Sequence, residues 1–291
     1  MKLRIRHVTR YRYRCAVTLL PHRLMLMPRG TQDLRVLSTS LEVVPAAGVE
    51  WTQDVFGNLV ATAVFADPTN EIMITSEMEV EQGAAEWPLF RIAPGAHTFP
   101  FRYSDEDIAD LGALLHPQHP DKDGKLATWA SRFVLGSSTD TLSLLKDINF
   151  GVSHAVSYRI RDEEGTQSPH ETLEIASGSC RDMSALFIEA VRHLGFGARA
   201  VSGYLYDPDA AAADRGSTHA WAEVYLPAAG WIAFDPTHGR VGSAKLVAVA
   251  VGRCNGQIML VTGGYVGLPD AFEAMDVCVS VDPACAMPAR T

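Results

Sequence analysis

The sequence predicts an α+β protein in which a strand-rich first third leads into helices and then into an antiparallel sheet. Three observations predict it. Short alternating runs separated by turn signals fill residues 1 to about 100. Helix-period runs occupy much of the stretch from Asp105 to Leu194. Strand-like runs then recur from Ala198 to Val281.

The first strands are expected at Lys2 to Tyr13, Val36 to Val44, Leu59 to Phe65 and Glu71 to Val80. Turns such as Phe56-Gly57-Asn58 and Asp67-Pro68 divide them, which is the pattern of a β-sandwich-like module. In the first run Lys2, Arg4, Arg6, Arg10, Arg12 and Arg14 mostly alternate with Leu3, Ile5, Val8, Tyr11 and Tyr13. That alternation describes a strand with a solvated basic face rather than a nucleic-acid arm. Pro94, Gly95 and Pro100 mark a junction. Helices are expected at Asp105 to Leu115, capped by Ser104, at Lys125 to Leu135, and within Thr141 to Tyr158, where Gly151 threatens continuity. Later strands are expected at Ala198 to Tyr206, Thr218 to Leu226, Gly230 to Asp235, Leu246 to Val251, Gln257 to Thr262 and Ala274 to Val281. The expected division is a β-rich domain over 1–100, a helical connector over 101–160 and a core over 161–291.

Cys180 carries the first chemical signal. After it, Met183, Leu186, Phe187, Ala190, Val191 and Leu194 repeat at helical spacing, and Gly195 is a stop. Ser179 suits the N-cap and Asp182 the first turn. A thiol at a helix N-terminus meets unpaired N–H groups and the positive end of the dipole, which favour thiolate. Gly178 is expected to leave room for a substrate carbonyl. His219 opens an alternating run in which His219, Trp221, Glu223 and Tyr225 share one face. Asp235 ends the next short run, beyond a turn at Pro227 and Gly230. A hairpin joining these runs puts imidazole and carboxylate on adjacent strands. Cys180, His219 and Asp235 are then nucleophile, base and orienter of an acyl-transfer site. Each residue also has a plainer reading: a buried thiol, a strand histidine and a turn aspartate. Gln167 is a candidate second oxyanion donor beside the Cys180 N–H. Trp221 is a candidate cleft wall, with a core tryptophan as the alternative.

Gly178-Ser179-Cys180-Arg181-Asp182, Ser202-Gly203-Tyr204-Leu205, His219 to Leu226 and Gly230 to Thr237 together resemble the bacterial transglutaminase-like family of cysteine-protease-like proteins. Pro28-Arg29, Trp51 and Asp54-Val55-Phe56-Gly57-Asn58 resemble the β-rich region preceding that core. The resemblance implies a papain-like, transglutaminase-like core with a Cys180-His219-Asp235 triad. It implies thiol-dependent acyl transfer on peptide or protein amides, and the lack of an Asp-x-Asp-x-Asp-Gly calcium loop together with the expected cytoplasmic setting favours hydrolysis. Transglutaminase-type transfer to an amine and a non-catalytic peptide-binding or scaffold role are the alternatives. Two positions depart from the pattern: His238 stands where asparagine is common, and Gly252-Arg253-Cys254 stands where Gly-Arg-Asp is usual.

The chain has 291 residues, 47% hydrophobic and 20% charged, with net charge −9. An acidic balance argues against nucleic acid as a general partner, since phosphate binding needs a basic surface. No apolar run is long enough for a bilayer, and no secretory h-region follows the N-terminus. A cytoplasmic protein without membrane partners is expected, with the oligomeric state open. Cys15, Cys180, Cys254, Cys278 and Cys285 form no disulfide framework, though Cys278 and Cys285 are able to pair if oxidised. No CxxC or HxxxH spacing predicts a structural zinc, and no cofactor or metal is expected. His116 and His119, in a His-Pro-Gln-His-Pro turn, read as a loop feature, and Ala210 to Ala213 as a flexible loop near the site.

Overall fold

The first strand, Lys2–Leu19, runs antiparallel between Thr69–Gln82 and Phe272–Pro283, with Leu34–Val44 beyond Thr69–Gln82. This computed structural model describes residues 1–161, 163–208 and 216–284. The loop expected at Ala210 to Ala213 and the thiol of Cys285 lie outside the described residues. Leu3, Ile5, His7 and Thr9 point inward, while Arg4, Arg6 and Arg10 point out. Cross-strand pairs line the outer face: Arg4–Glu79 at 2.6 Å, Arg6–Glu77 at 3.0 Å, Arg10–Glu71 at 2.8 Å and Arg12–Asp276 at 3.0 Å. Such exposed pairs are worth little in stability. They do make the alternating arginines a solvated strand face, as the spacing predicts.

A second sheet runs in the order Val261–Thr262, His22–Leu24, Leu59–Val64 and Gly48–Gln53. Val17, Leu19, Leu24, Leu26, Ala61, Ala63, Ile72 and Ile74 pack together between the two sheets. Two of these strands carry no readable signal. His22–Leu24 is three residues long, and Gly48–Gln53 is exposed at every position, so neither shows a two-residue period. The expected assignment of 161–291 to the core also needs correction. Strands at 261–262, 265–266 and 272–283 pair with His22–Leu24 and Lys2–Leu19, so the chain returns to complete the N-terminal sheets. Alternation gives a strand's faces but not its partners.

The helices are α1 (Asp105–Leu111), α2 (Lys125–Ser131), α3 (Thr141–Ala155), α4 (Pro169–Ile175) and α5 (Cys180–His193). Ser104 Oγ accepts the Asp107 N–H at 3.0 Å, the predicted cap. Helix α1 stops early, at Gly112 with φ +45°, and a 3-10 turn continues to Leu115. Gly151 does not break α3. A Cβ there would lie 2.2 Å from the Phe133 ring, so its absence lets Phe133 lie across the helix.

The central sheet is antiparallel in the order Arg240–Val241, Gly230–Asp235, Gly216–Leu226, Ala198–Tyr206 and Leu246–Gly252. Met183, Leu186, Phe187, Ala190 and Val191 of α5, with Leu144, Leu145, Ile148 and Val152 of α3, pack on Ala198, Ala200, Ala222, Val224 and Phe234. The N-terminal region covers other parts of the same sheet. Leu3, Ile5, Met78 and Val80 meet Tyr204, Tyr206, Val247 and Val249, and Phe56 packs among Val201, Leu205, Trp221 and Val251. Asn58 ties the two together: its amide donates to Val251 O at 2.7 Å and accepts the Val251 N–H at 2.9 Å, acting as one more strand residue. Arg29 donates to Asn58 Oδ1 at 2.7 Å and to Phe56 O at 3.1 Å. Among the described residues no helix is long and apolar enough to cross a membrane.

Candidate active site

Cys180 is the first residue of α5 and is partly buried. The start of that helix is built around Asp182, which is fully buried. Asp182 accepts the Ser179 N–H and hydroxyl, each at 2.8 Å, and the Gln167 N–H at 2.7 Å. Arg161 closes the arrangement with 2.8 and 2.9 Å contacts to both oxygens. Burial alone would push this carboxyl up, but those donors hold it below the usual range. One carboxylate therefore fixes the chain before α5, the helix N-terminus and the segment carrying Gln167. A Cβ on Gly178 would come within 2.8 Å of the Asp182 Cβ and 3.1 Å of Gln167 Oε1. The space expected to admit a substrate carbonyl is thus occupied by Asp182 and Gln167. Gly178 is required for the packing beneath Cys180.

His219 and Asp235 lie on adjacent antiparallel strands, as the hairpin reading requires. Both are buried, at 6% and 1% exposure, and His219 Nε2 lies 3.0 Å from Asp235 Oδ2. An ionised carboxylate accepts, so Nε2 carries the proton and Nδ1 is left for the thiol. Burial works against charge on all three groups, and their mutual contacts outweigh it. The Cys180 thiol is pushed up by burial, then pulled below its ordinary value by a hydrogen bond with His219, the imidazolium charge and the Ala220 N–H. Burial disfavours charge on His219, yet Asp235 and Cys180 raise its pKa. Asp235 is held well below the carboxylate range by His219 and His238 despite its burial. The result favours a thiolate–imidazolium pair beside an ionised aspartate.

Further contacts set Asp235. Thr237 N–H donates to Oδ1 at 3.0 Å, and His238 Nδ1 lies 2.8 Å from Oδ2. Asn149 of α3, fully buried, reaches Asp235 O at 3.4 Å and Arg240 O at 3.2 Å. Within a helix, Asn149 reads only as a polar residue on the apolar face, and no sequence signal marks its role. Tyr158 pairs with Gly178 in a short parallel ladder, and Arg159 N–H donates to Gly178 O at 2.9 Å. The Tyr158 phenol is half-exposed, and its pKa is raised by burial and by the Cys180 charge.

Trp221 is no cleft wall. It is 1% exposed, belongs to the cluster with Val201 and Phe56, and stacks on His219 at 6.2 Å with a 22° interplanar angle. Residues 219 and 221 share a strand face, and at this depth that face is core. Gly203, opposite His219, makes the packing possible: a Cβ there would meet Val247 O at 2.0 Å and the Trp221 ring at 3.0 Å. Gln167, 5% exposed, does come to the site beside Gly178, with its Oε1 accepting from Thr172 at 3.4 Å.

Two groupings of the described residues bring metal-ligand atoms within 4.8 Å of one another. In His219, Asp235 and His238 the nearest imidazole nitrogens are already committed to the carboxylate. In Asp121, Asp123 and His170 the Lys125 ammonium already pairs with Asp123 at 3.2 Å. His116 and His119 belong to neither grouping. The backbone of their turn is anchored by Glu189, which accepts the Gln118 and His119 N–H groups at 2.6 and 2.8 Å.

Residues 3–81 match the bacterial transglutaminase-like N-terminal region, and residues 127–236 match the transglutaminase-like superfamily. The second match spans Cys180, His219 and Asp235. Residues 127–236 form a transglutaminase-like core. A protein of Cytophaga hutchinsonii, solved as a candidate cysteine protease, superposes with TM-score 0.75 at 21% identity, covering 99% of this chain and 93% of that one. That likeness establishes a shared fold over the whole length. An uncharacterized protein of Mycobacterium tuberculosis is 25% identical over 97% of this chain and 93% of its own. An uncharacterized protein of Mycobacterium leprae is 24% identical over 91% and 94%. The similarity to these relatives runs through both the strand-rich region and the transglutaminase-like core of this chain.

Proposed function

We propose that this transglutaminase-like protein is a cysteine protease or amidase that cleaves peptide or protein amides through an acyl-enzyme on Cys180. The convergence of Cys180, His219 and Asp235, with the thiol at the start of α5, carries this reading. The thiolate attacks the amide carbonyl, and the carbonyl electrons move onto oxygen. The Cys180 N–H, at the first helical position, has no partner within the helix and is the first oxyanion donor. Gln167 is the second. His219 Nδ1 gives its proton to the leaving nitrogen, and the C–N bond breaks. Asp235 keeps the imidazole in the required tautomer throughout. Water, deprotonated by His219, then attacks the thioester and releases the acid.

The test is turnover of a library of fluorogenic peptide amides by the purified protein, with and without a fluorescent primary amine. Release of the reporter without amine incorporation, absent in Cys180→Ala, is the expected result. Incorporation of the amine would replace hydrolysis by transfer. No turnover, combined with no thioester trapped by hydroxylamine, would leave the core as a binding module.

A further inference from the structure

We propose that His238 is a positioning residue that locks the Asp235 carboxylate for His219. The inference rests on the triad reading above and adds a fourth residue to it. His238 Nδ1 lies 2.8 Å from Asp235 Oδ2, the same oxygen that takes His219 Nε2 at 3.0 Å. Thr237 N–H holds Oδ1 at 3.0 Å. Three donors thus act on one carboxylate that is 1% exposed. With both oxygens engaged, the carboxylate cannot rotate without breaking a charge-assisted hydrogen bond in a buried site.

The backbone just after His238 packs closely against α3. The next residue, Gly239, has φ +63°, and a Cβ there would lie 2.7 Å from the Phe150 ring of α3. The two imidazoles stand 5.2 Å apart at a 58° tilt, so they converge on Asp235 without stacking. The His238 side chain is 30% exposed, unlike those of His219 and Asp235, so it changes without opening the core. A fixed Asp235 Oδ2 fixes the His219 ring plane, and that plane aims Nδ1 at Cys180. His238 acts on the reaction through Asp235 and touches no reacting atom.

The experiment measures iodoacetamide labelling of Cys180 at pH 6, with peptide mapping, in wild type, His238→Leu, His238→Asn and His219→Ala. An asparagine amide places a donor close to where Nδ1 stands, without the ring. His238→Leu is expected to slow labelling about tenfold, the scale of one charge-assisted hydrogen bond. His238→Asn is expected to restore most of the rate. His219→Ala should fall to the level of the exposed Cys15 and Cys278. Wild-type labelling in His238→Leu, with His219→Ala still collapsed, would overturn the proposal and leave the triad intact. Fast labelling in His219→Ala would instead overturn the triad. Nitrogen-15 spectra of the wild-type imidazoles give a readout independent of any variant's folding. A protonated His238 Nδ1 is expected, and an unprotonated one would overturn the proposal.

Discussion

At the scale of residues, the site is a problem in burying charge. An isolated buried thiolate, imidazolium or carboxylate is costly, and here each group's pKa is moved toward its charged form by the next. The sequence makes all three legible, because each sits at a position with a local signature: a helix start, a strand start and a strand end. Asp235→Asn keeps the shape and lets the amide present N–H to the imidazole, which favours the wrong tautomer. Cys180 labelling at pH 7 should fall by at least about tenfold, and an unchanged rate would remove Asp235 from the triad. The same shifts predict how stability varies with pH. Asp235 is depressed, so its contribution is present above the usual carboxylate pKa and fades as pH falls through its lowered value. His219 is raised, so its contribution is present below the usual imidazole pKa and fades as pH rises through its raised value. Melting temperatures across pH should therefore show both losses, and His219→Ala should lack the alkaline one.

At the scale of elements, the start of α5 depends on a residue readable only in part. The spacing Ser179-x-x-Asp182 suggests a helix cap, and Asp182 does accept Ser179 N–H. Nothing local shows that Arg161 and Gln167 converge on the same carboxylate from 15 to 21 residues away. Gly178 reads from sequence as substrate space for the same reason, since the atoms that fill its vacancy belong partly to that distant segment. Asp182→Ala leaves the mostly buried Arg161 with only the exposed Glu163 carboxylate, 3.5 Å away, beside orphaned N–H groups. Such a change should cost about 3 kcal/mol or more in urea unfolding and displace Cys180 enough to slow its labelling. A variant as stable and as reactive as wild type would show that Asp182 does not organise the nucleophile. Trp221 follows the same logic. Alternation places it on the face of His219, while the packing of Phe56 and Val251 decides that the face is core.

At the scale of the whole molecule, the strand-rich region and the core are interleaved. The last described strand pairs along most of the first, and Asn58 completes the edge of Leu246–Gly252. Composition and periodicity announce both sheets but cannot assign a C-terminal strand to an N-terminal one, because pairing of such distant segments leaves no local trace. The interleaving predicts one cooperative unfolding transition for the full chain. Asn58→Ala removes two buried bonds and leaves Val251 N–H and C=O unpaired, which should cost about 1–3 kcal/mol. The loss should appear in core and N-terminal probes alike. Two separated transitions, with the core unaffected by Asn58→Ala, would show that the regions are energetically independent.

The pH profile of iodoacetamide labelling at Cys180 in wild type and His219→Ala, with Cys15 as an internal reference, tests the pairing of thiol and imidazole directly. A thiolate–imidazolium pair gives rapid labelling that persists well below the ordinary thiol pKa of about 8.5 and disappears in the mutant. Labelling that rises only with ordinary thiol ionisation and ignores His219 would contradict the thiolate–imidazolium pair.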